Sequence, residues 1–411
     1  MSKDVKNVPA LRFKGYSDAW EKRKLGETNS YFTDGNYGES YPKESELSDK
    51  ENGVPFLRGS NLRNGELIED NANYITKEKH AELTSGHLVE DDIVLAVRGS
   101  LGALGYVKEE NIDWNINSQL AVIRTDKSEL SGKFLAQFLL SWRGQKELLS
   151  RNTGTALKQL PIKQLKDVPV PIVNLDEQKE ISALFTSIDN LIAATQDKID
   201  ALEQAKRALL QRLFDQSWRF KGYSDPWEKR KLREVSDVRD GTHASPKYYS
   251  QGYPLVTSKN LTSAGLDFSN ISLISELDYK NINKRSRVDK GDILFGMIGT
   301  IGTPVMVHES NFAIKNVALI KEREAVLNSF LVQLLKSPAF INYIRNENVG
   351  GTQKFLSLNT IRNFRFSFPT SKEQAMVSRF LEKIDSLIAA TQSRLSSLEL
   401  LKKALLQDLF I

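Results

Sequence analysis

The chain has 411 residues, of which 40% are hydrophobic and 9% aromatic, enough to bury real cores in two or three domains and too apolar for a disordered protein. There is no cysteine, and His80, His87, His243 and His308 are the only histidines; their spacing matches no ligand motif, so disulfides and thiolate metal sites are excluded and no metal site is expected. The net charge of +5 leans toward a polyanionic partner, but residues 28–160 carry 15 basic against 20 acidic side chains, so a nucleic-acid contact there needs a local basic face.

The amino-terminal residues contain no apolar stretch of the kind a leader needs, and nothing in the chain approaches the roughly 18 consecutive apolar residues of a membrane span, which predicts a cytoplasmic protein. Residues 12–27 read RFKGYSDAWEKRKLGE, and residues 219–234 read RFKGYSDPWEKRKLRE; only Ala19/Pro226 and Gly26/Arg233 differ. Trp20 and Trp227 recur inside these copies and read as packing anchors. Each copy is followed by a diverged block. GVPFLRGSNL (53–62) aligns with GYPLVTSKNL (252–261), DDIVLAVRGSLG (91–102) with GDILFGMIGTIG (291–302), and QLAVIR (119–124) with NVALIK (316–321). Short β-branched runs bounded by Gly and Asn predict strands and turns, while residues 131–142 and 328–337 predict helices. Gly99, Gly102 and Gly105, like Gly296, Gly299 and Gly302, follow a strand; they make either a tight strand connection or a loop approaching phosphate.

After each block comes a long helix. Residues 177–214 and 373–410 match at 20 of 38 positions without a gap. Ile181, Phe185, Ile188, Ile192, Thr195, Ile199 and Leu202 step by four and three, and Val377, Leu381, Ile384, Ile388, Thr391, Leu395 and Leu398 take the same steps, the spacing of a coiled-coil seam. Asn174-x-x-Glu177 and Thr370-x-x-Glu373 predict capping boxes, with the Glu reaching back to the cap. The layout is therefore repeat segment (1–27), diverged block (28–173), helix (174–216), second repeat segment (217–234), second block (235–369) and second helix (370–411). The expected fold is α+β: two mixed domains joined by two antiparallel coiled-coil helices, pseudo-two-fold and cyclic, because the second helix ends where the first repeat segment could continue. At about 1.5 Å per residue a 38-residue helix would span roughly 57 Å.

The chemistry of an enzyme is missing from the sequence: there is no Pro-Pro for an amino-methyltransferase loop, no P-loop, and no Pro-Asp of the common metal-nuclease core. No catalytic or metal-binding residue is expected. Arg58, Ser60, Asn61 and Arg63 gather a guanidinium, a hydroxyl and an amide on one segment, and Ser258, Lys259 and Asn260 are their counterparts; Arg and Asn read bases, whereas Ser and Lys hold phosphates. Arg98, Asn152, Thr153 and Lys158 in the first block, and His243, Lys247, Gln353 and Lys354 in the second, complete the candidate DNA-binding set. Each of these segments reads equally as a solvated polar loop or turn. Lys206, Arg207, Lys402 and Lys403 lie near the ends of the long helices and are candidates for holding a protein partner.

Tandem units ending in EQxxI…IDxLIAATQ…KxALLQxLF, with RFxGYSDxWEKRKLxE segments and a GDILFGxxGTIG strand-turn, resemble the specificity subunit of type I restriction-modification systems over essentially the whole chain. The resemblance implies two target recognition domains that read an asymmetric, bipartite site in double-stranded DNA. It further implies that the repeated segments bind two methyltransferase (modification) subunits, that ATP-dependent restriction (translocase and endonuclease) subunits join them, and that S-adenosylmethionine, ATP and Mg2+ act on those partners, with no cofactor on this chain. A coiled-coil scaffold whose globular ends bind other proteins is the alternative, and a self-contained DNA-modifying enzyme a third reading.

Overall fold

The computed structural model describes residues 7–154, 158–347 and 355–411. Contacts divide the chain into two compact units, residues 1–194 with 395–411, and residues 195–394. Each holds one diverged block, one repeat segment and portions of both long helices, Leu175–Phe214 and Ser371–Asp408.

The first unit is built on a four-stranded antiparallel sheet in the order Tyr31–Asp34, Leu120–Arg124, Ile93–Ala96, Leu104–Tyr106. All four residues of Ile93–Ala96 are buried, since both faces of the strand are covered. Ile93 and Leu95 point into a core with the helix Gly132–Leu140, while Val94 and Ala96 point into a core with Leu57, Leu62 and Ile116 from outside this sheet. This double burial explains why IVLA reads as an unbroken apolar run. The second unit repeats the plan, with the sheet order Asp237–Asp240, Val317–Lys321, Ile293–Gly296, Gly302–Met306 and the helix Asn328–Leu335. In both, a further small sheet carries a parallel pairing, Val54–Leu57 with Asn115–Ile116 and Tyr253–Val256 with Ala313–Ile314. Gly99 and Gly102 in the first unit and Gly299 in the second lie in tight hairpin connections, while Gly105, Gly296 and Gly302 belong to the flanking strands; Gly99 and Gly299 adopt φ of +73° and +75°, a left-handed conformation that side chains resist.

The repeat segments are clamps. Glu21–Lys24 pairs antiparallel with Pro169–Ile172, and Glu228–Lys231 with Arg365–Phe368, so each copy closes its block just before the long helix begins. Arg12 grips the helix start through two hydrogen bonds to Glu177 at 2.7 and 2.8 Å, and Arg219 grips Glu373 at 3.0 and 2.7 Å. The Asn174 side-chain Oδ1 does accept the Glu177 N–H at 2.9 Å. The expected back-reach of Glu177 and Glu373, however, is replaced by these pairings, because a bidentate guanidinium outcompetes a single backbone N–H for a buried carboxylate. Each pairing raises its arginine pKa above the ordinary value, first through the hydrogen bond to the glutamate. Gln178 and Gln374, next in sequence, are buried and tie the helix to the preceding loops: Gln178 accepts from Ser131 N–H and donates to Glu129 and Val173, while Gln374 accepts from Leu327 N–H and donates to Ala325 and Pro369.

Trp20 is indeed a packing anchor, edge-on to Phe134 and Phe410 at 6.0 and 6.3 Å; Trp227 meets Phe330 and Phe214 at 5.9 and 6.4 Å in the same way. The predicted seam serves two purposes. Ile181 and Phe185 belong to the core of the first unit together with Leu409 and Phe410, and Val377 and Leu381 belong to that of the second together with Leu210 and Leu213. Further along, Ile188, Thr195, Ile199, Ile388 and Thr391 are buried and Ile192, Leu202, Ile384, Leu395 and Leu398 half-buried. Within each unit the two helix segments run head to tail: Asp189, early in one helix, pairs with Lys402, late in the other, at 2.6 Å, and Lys206 pairs with Asp385. Of the candidate partner-binding residues, Lys206 and Lys402 are thus half-buried within ion pairs, while Arg207 and Lys403 are exposed.

Candidate nucleic-acid interface

In the first unit, four loops converge where the central sheet ends. The short turn at Gly59–Asn61 lies against the 98–102 connection, so close that a Cβ on Gly59 would sit 3.5 Å from Ser100 Cβ. Arg98 then ties three loops together: its Nε donates to Gln159 Oε1 at 3.2 Å, its Nη1 to the Ser118 carbonyl at 3.3 Å, and its guanidinium lies 5.1 Å from the Tyr37 ring centroid. Thr153 joins through paired backbone hydrogen bonds with Gln159 at 2.8 and 2.9 Å. Partial burial pushes the Tyr37 phenol above its ordinary pKa, with Asp34 adding to the effect. Ser60, Arg63, Thr153 and Lys158 are exposed; Thr153 and Lys158 flank the Gln159 that Arg98 holds, and Ser60 is in the turn packed against the 98–102 connection. Arg63 Nε donates to the Ser60 carbonyl at 3.3 Å.

The second unit assembles the corresponding loops with other side chains. Ser258 is packed against Gly296, and its hydroxyl donates to the Asn316 carbonyl at 3.4 Å. His243 is exposed between Asn316 Oδ1 at 2.8 Å and Asp240 Oδ2 at 2.9 Å. Burial alone would raise the Asp240 pKa; hydrogen bonds from His243 and Arg285 outweigh it and hold the carboxyl below its usual range. Lys259 is exposed, and Lys247 lies 5.7 Å from the Tyr249 ring centroid. Ile298 replaces Arg98 and bridges to Phe355, both with exposed side chains.

Several expected base readers are structural. Asn61 is fully buried: its Oδ1 accepts the Arg58 N–H at 3.1 Å and its Nδ2 donates to the Ile68 and Asp70 carbonyls. Asn260 repeats this with Thr257 and Asp267, and Ser258 is buried beside it. An amide so placed organises its turn and has no group left for a base. Arg58 is half-buried, with Nη2 donating to the Asn71 carbonyl at 2.8 Å, and Asn152 donates to the Leu149 carbonyl. Gln353 and Lys354 lie outside the described residues, as do residues 155–157 of the RNTGTALK segment. Sequence reasoning passed over Tyr37, Ile298 and Phe355; the first unit's Tyr37 and the second's Phe355 are exposed aromatics in turn-rich segments, a cue for nucleic-acid stacking. No helix among the described residues is long and apolar enough to cross a membrane.

Residues 17–204 and 224–400 both match the sequence model of the family described as type I restriction modification DNA specificity domain. The type I restriction enzyme MjaVIII specificity subunit of Methanocaldococcus jannaschii is 23% identical over 372 residues, which cover 86% of this chain and 84% of that one. The EcoBI specificity subunit of Escherichia coli is 25% identical over 170 residues, 40% of this chain and 36% of that one. A crystal structure of a type I restriction-modification S subunit from M. genitalium shares the fold, with a TM-score of 0.62 at 16% identity over 98% of this chain and 99% of that one. The chain belongs to the type I restriction-modification DNA specificity family. Its role in such a system is that of the specificity subunit, which recognises the DNA target and is not itself catalytic.

Proposed function

We propose that the chain reads an asymmetric, two-part target in double-stranded DNA, one part through each variable block, and that the repeat segments present matched surfaces to two methyltransferase subunits. The observation that carries this reading is a backbone plan made twice with unlike exposed side chains: Arg98 against Ile298, Ser60 against Lys259. Equivalent scaffolds with unlike tips suit a non-palindromic site, since palindromes are read by identical tips. The same physics assigns the partners, because two copies of one subunit dock equivalently only on equivalent surfaces. Lys14, Ser17, Glu21 and Lys22 are exposed and recur, also exposed, as Lys221, Ser224, Glu228 and Lys229. Restriction subunits complete the assembly, S-adenosylmethionine, ATP and Mg2+ act on the partner subunits, and the complex works in the cytoplasm.

Arg98→Ala and Lys259→Ala, each assayed in complex with the methyltransferase, separate the two halves of the site. Arg98→Ala is expected to relax one half-site at a cost of about 1–3 kcal/mol, and Lys259→Ala to act only on the other half or to lower the salt dependence of binding. Methylation motifs and salt slopes identical to the parent in both variants would remove these loops from the interface.

A further inference from the structure

Within the first unit, His80, His87 and Asp113 come together from three separate segments, each placing one possible ligand atom within 4.8 Å of the others. His80 sits on the helix Lys77–Glu82, whose start is capped by Thr76 Oγ1 accepting the Lys79 N–H at 3.1 Å. His87 follows in the connection to the central strand, and Asp113 occupies a turn with φ of +65°. The frame around them is firm: Asp113 N–H donates to the Leu88 carbonyl at 2.9 Å, Leu88 N–H donates to Trp114 at 3.0 Å, and His87 forms a β-bridge with Asn115.

The hydrogen-bond pattern leaves a place for positive charge. His87 Nε2 lies 2.8 Å from the Leu83 carbonyl, an acceptor only, so this nitrogen carries the proton. In the neutral ring Nδ1 then has only a lone pair, and it faces Asp113 Oδ1 at 3.8 Å, acceptor against acceptor. His80 Nε2 approaches the same oxygen at 3.1 Å, and its buried Nδ1 has no hydrogen-bond partner. The two imidazoles stand edge to face with centroids 4.4 Å apart. Ligands at about 2.0–2.1 Å in tetrahedral array lie roughly 3.4 Å from each other, a value that the two nitrogen-to-oxygen separations of 3.1 and 3.8 Å bracket. A carbonyl that fixes the tautomer of a ligating histidine is also the usual outer partner of such a ring. Asp113 is largely exposed, so one side of the cluster is open to water as a fourth ligand.

We propose that His80, His87 and Asp113 bind one divalent ion of the zinc class, which fastens the Lys77–Glu82 helix and the connection after it to the turn at Asp113. Two imidazoles and one carboxylate favour borderline ions such as Zn2+ and Co2+ over Mg2+ or Ca2+, which prefer all-oxygen shells. The sequence alone concealed the cluster because its members come from opposite sides of the Ile93–Ala96 and Leu104–Tyr106 hairpin.

The test uses the tag-free full chain titrated with Co2+, read by visible absorption, with Zn2+ as competitor and thermal unfolding as a second measure. One Co2+ per chain, displaced by Zn2+, and a higher unfolding temperature with Zn2+ are expected. Asp113→Asn, which keeps a residue type tolerant of the left-handed turn, and His87→Gln should each weaken binding at least tenfold with the circular dichroism spectrum unchanged. His243→Asn and His308→Gln should bind as the parent does. Absence of a Co2+ spectrum and of any Zn2+ stabilisation in the parent would overturn the proposal, as would undiminished binding by Asp113→Asn and His87→Gln together.

Discussion

Asp408 and Leu11 in the first unit make the same backbone hydrogen bond as Arg212 and Trp218 in the second, at 3.0 Å in each, yet only the second pair is linked by chain running directly from helix into repeat segment. Phe410 lies against Trp20 as Phe214 lies against Trp227. Packing of aromatic rings and a gripped helix start, not the peptide bonds between 212 and 218, therefore define the junction. Where the covalent link is missing, the non-covalent contacts are the more deeply buried: Phe410 is 1% exposed, whereas Phe214 is only half-buried.

The strongest way to break this equivalence is to remove the arginine grips. Arg12→Ala leaves Glu177, whose side chain has no exposure, as an unpaired buried charge, and Arg219→Ala does the same to Glu373. Each should cost about 3–5 kcal/mol in urea unfolding of its own unit. Arg12→Ala should cost more, since nothing covalent then holds the first repeat segment to the end of the second long helix. Equal losses would show that the peptide link contributes nothing to the junction. Phe410→Ala sharpens the comparison: about 3 kcal/mol is expected from the lost packing in the first unit, and less from Phe214→Ala in the second, by the same measurement.

The smallest effect exploits a mismatch. Aligning Phe134 with Phe330 and Gln137 with Gln333 places Leu140 of the first unit at the position of Lys336 in the second. Lys336 is held below the ordinary lysine pKa, first by desolvation, although Asp385 at 3.9 Å opposes the shift. A lysine whose folded pKa is depressed burdens the fold while it is protonated, and the burden disappears as pH rises through the folded toward the unfolded value. Lys336→Leu should therefore stabilise the second unit at neutral pH by about 1 kcal/mol, a gain that shrinks in alkaline buffer; thermal melts at two pH values check both parts.

How much of this was legible in the sequence follows from the range of the forces involved. The strands announce themselves as short apolar runs bounded by turn residues and the long helices through periodic burial, so Ile93–Ala96, Leu120–Arg124 and the 181–202 seam could be read directly. Trp20 and Trp227 were readable as anchors because each recurs within an otherwise repeated segment. The roles of polar side chains were not, because they depend on partners distant in sequence. Asn61 and Asn260 have the composition of base readers and are spent on their own turns, Glu177 passes over its cap to reach Arg12, and Lys206 and Lys402 are drawn into pairs with Asp385 and Asp189. Of the candidate set, exposure survives for Ser60, Arg63, Arg98, Thr153, Lys158, His243, Lys247 and Lys259.

The junction at Leu11 and Asp408 bears on how such a protein can diversify. A junction that holds without a peptide bond tolerates being opened at its counterpart: cleavage of the chain at Ser217 should leave the Arg212–Trp218 hydrogen bond and the Phe214–Trp227 contact in place. Near-identical stretches flanking each variable block likewise mean that one block can be exchanged for another while the buried contacts at its borders are restored.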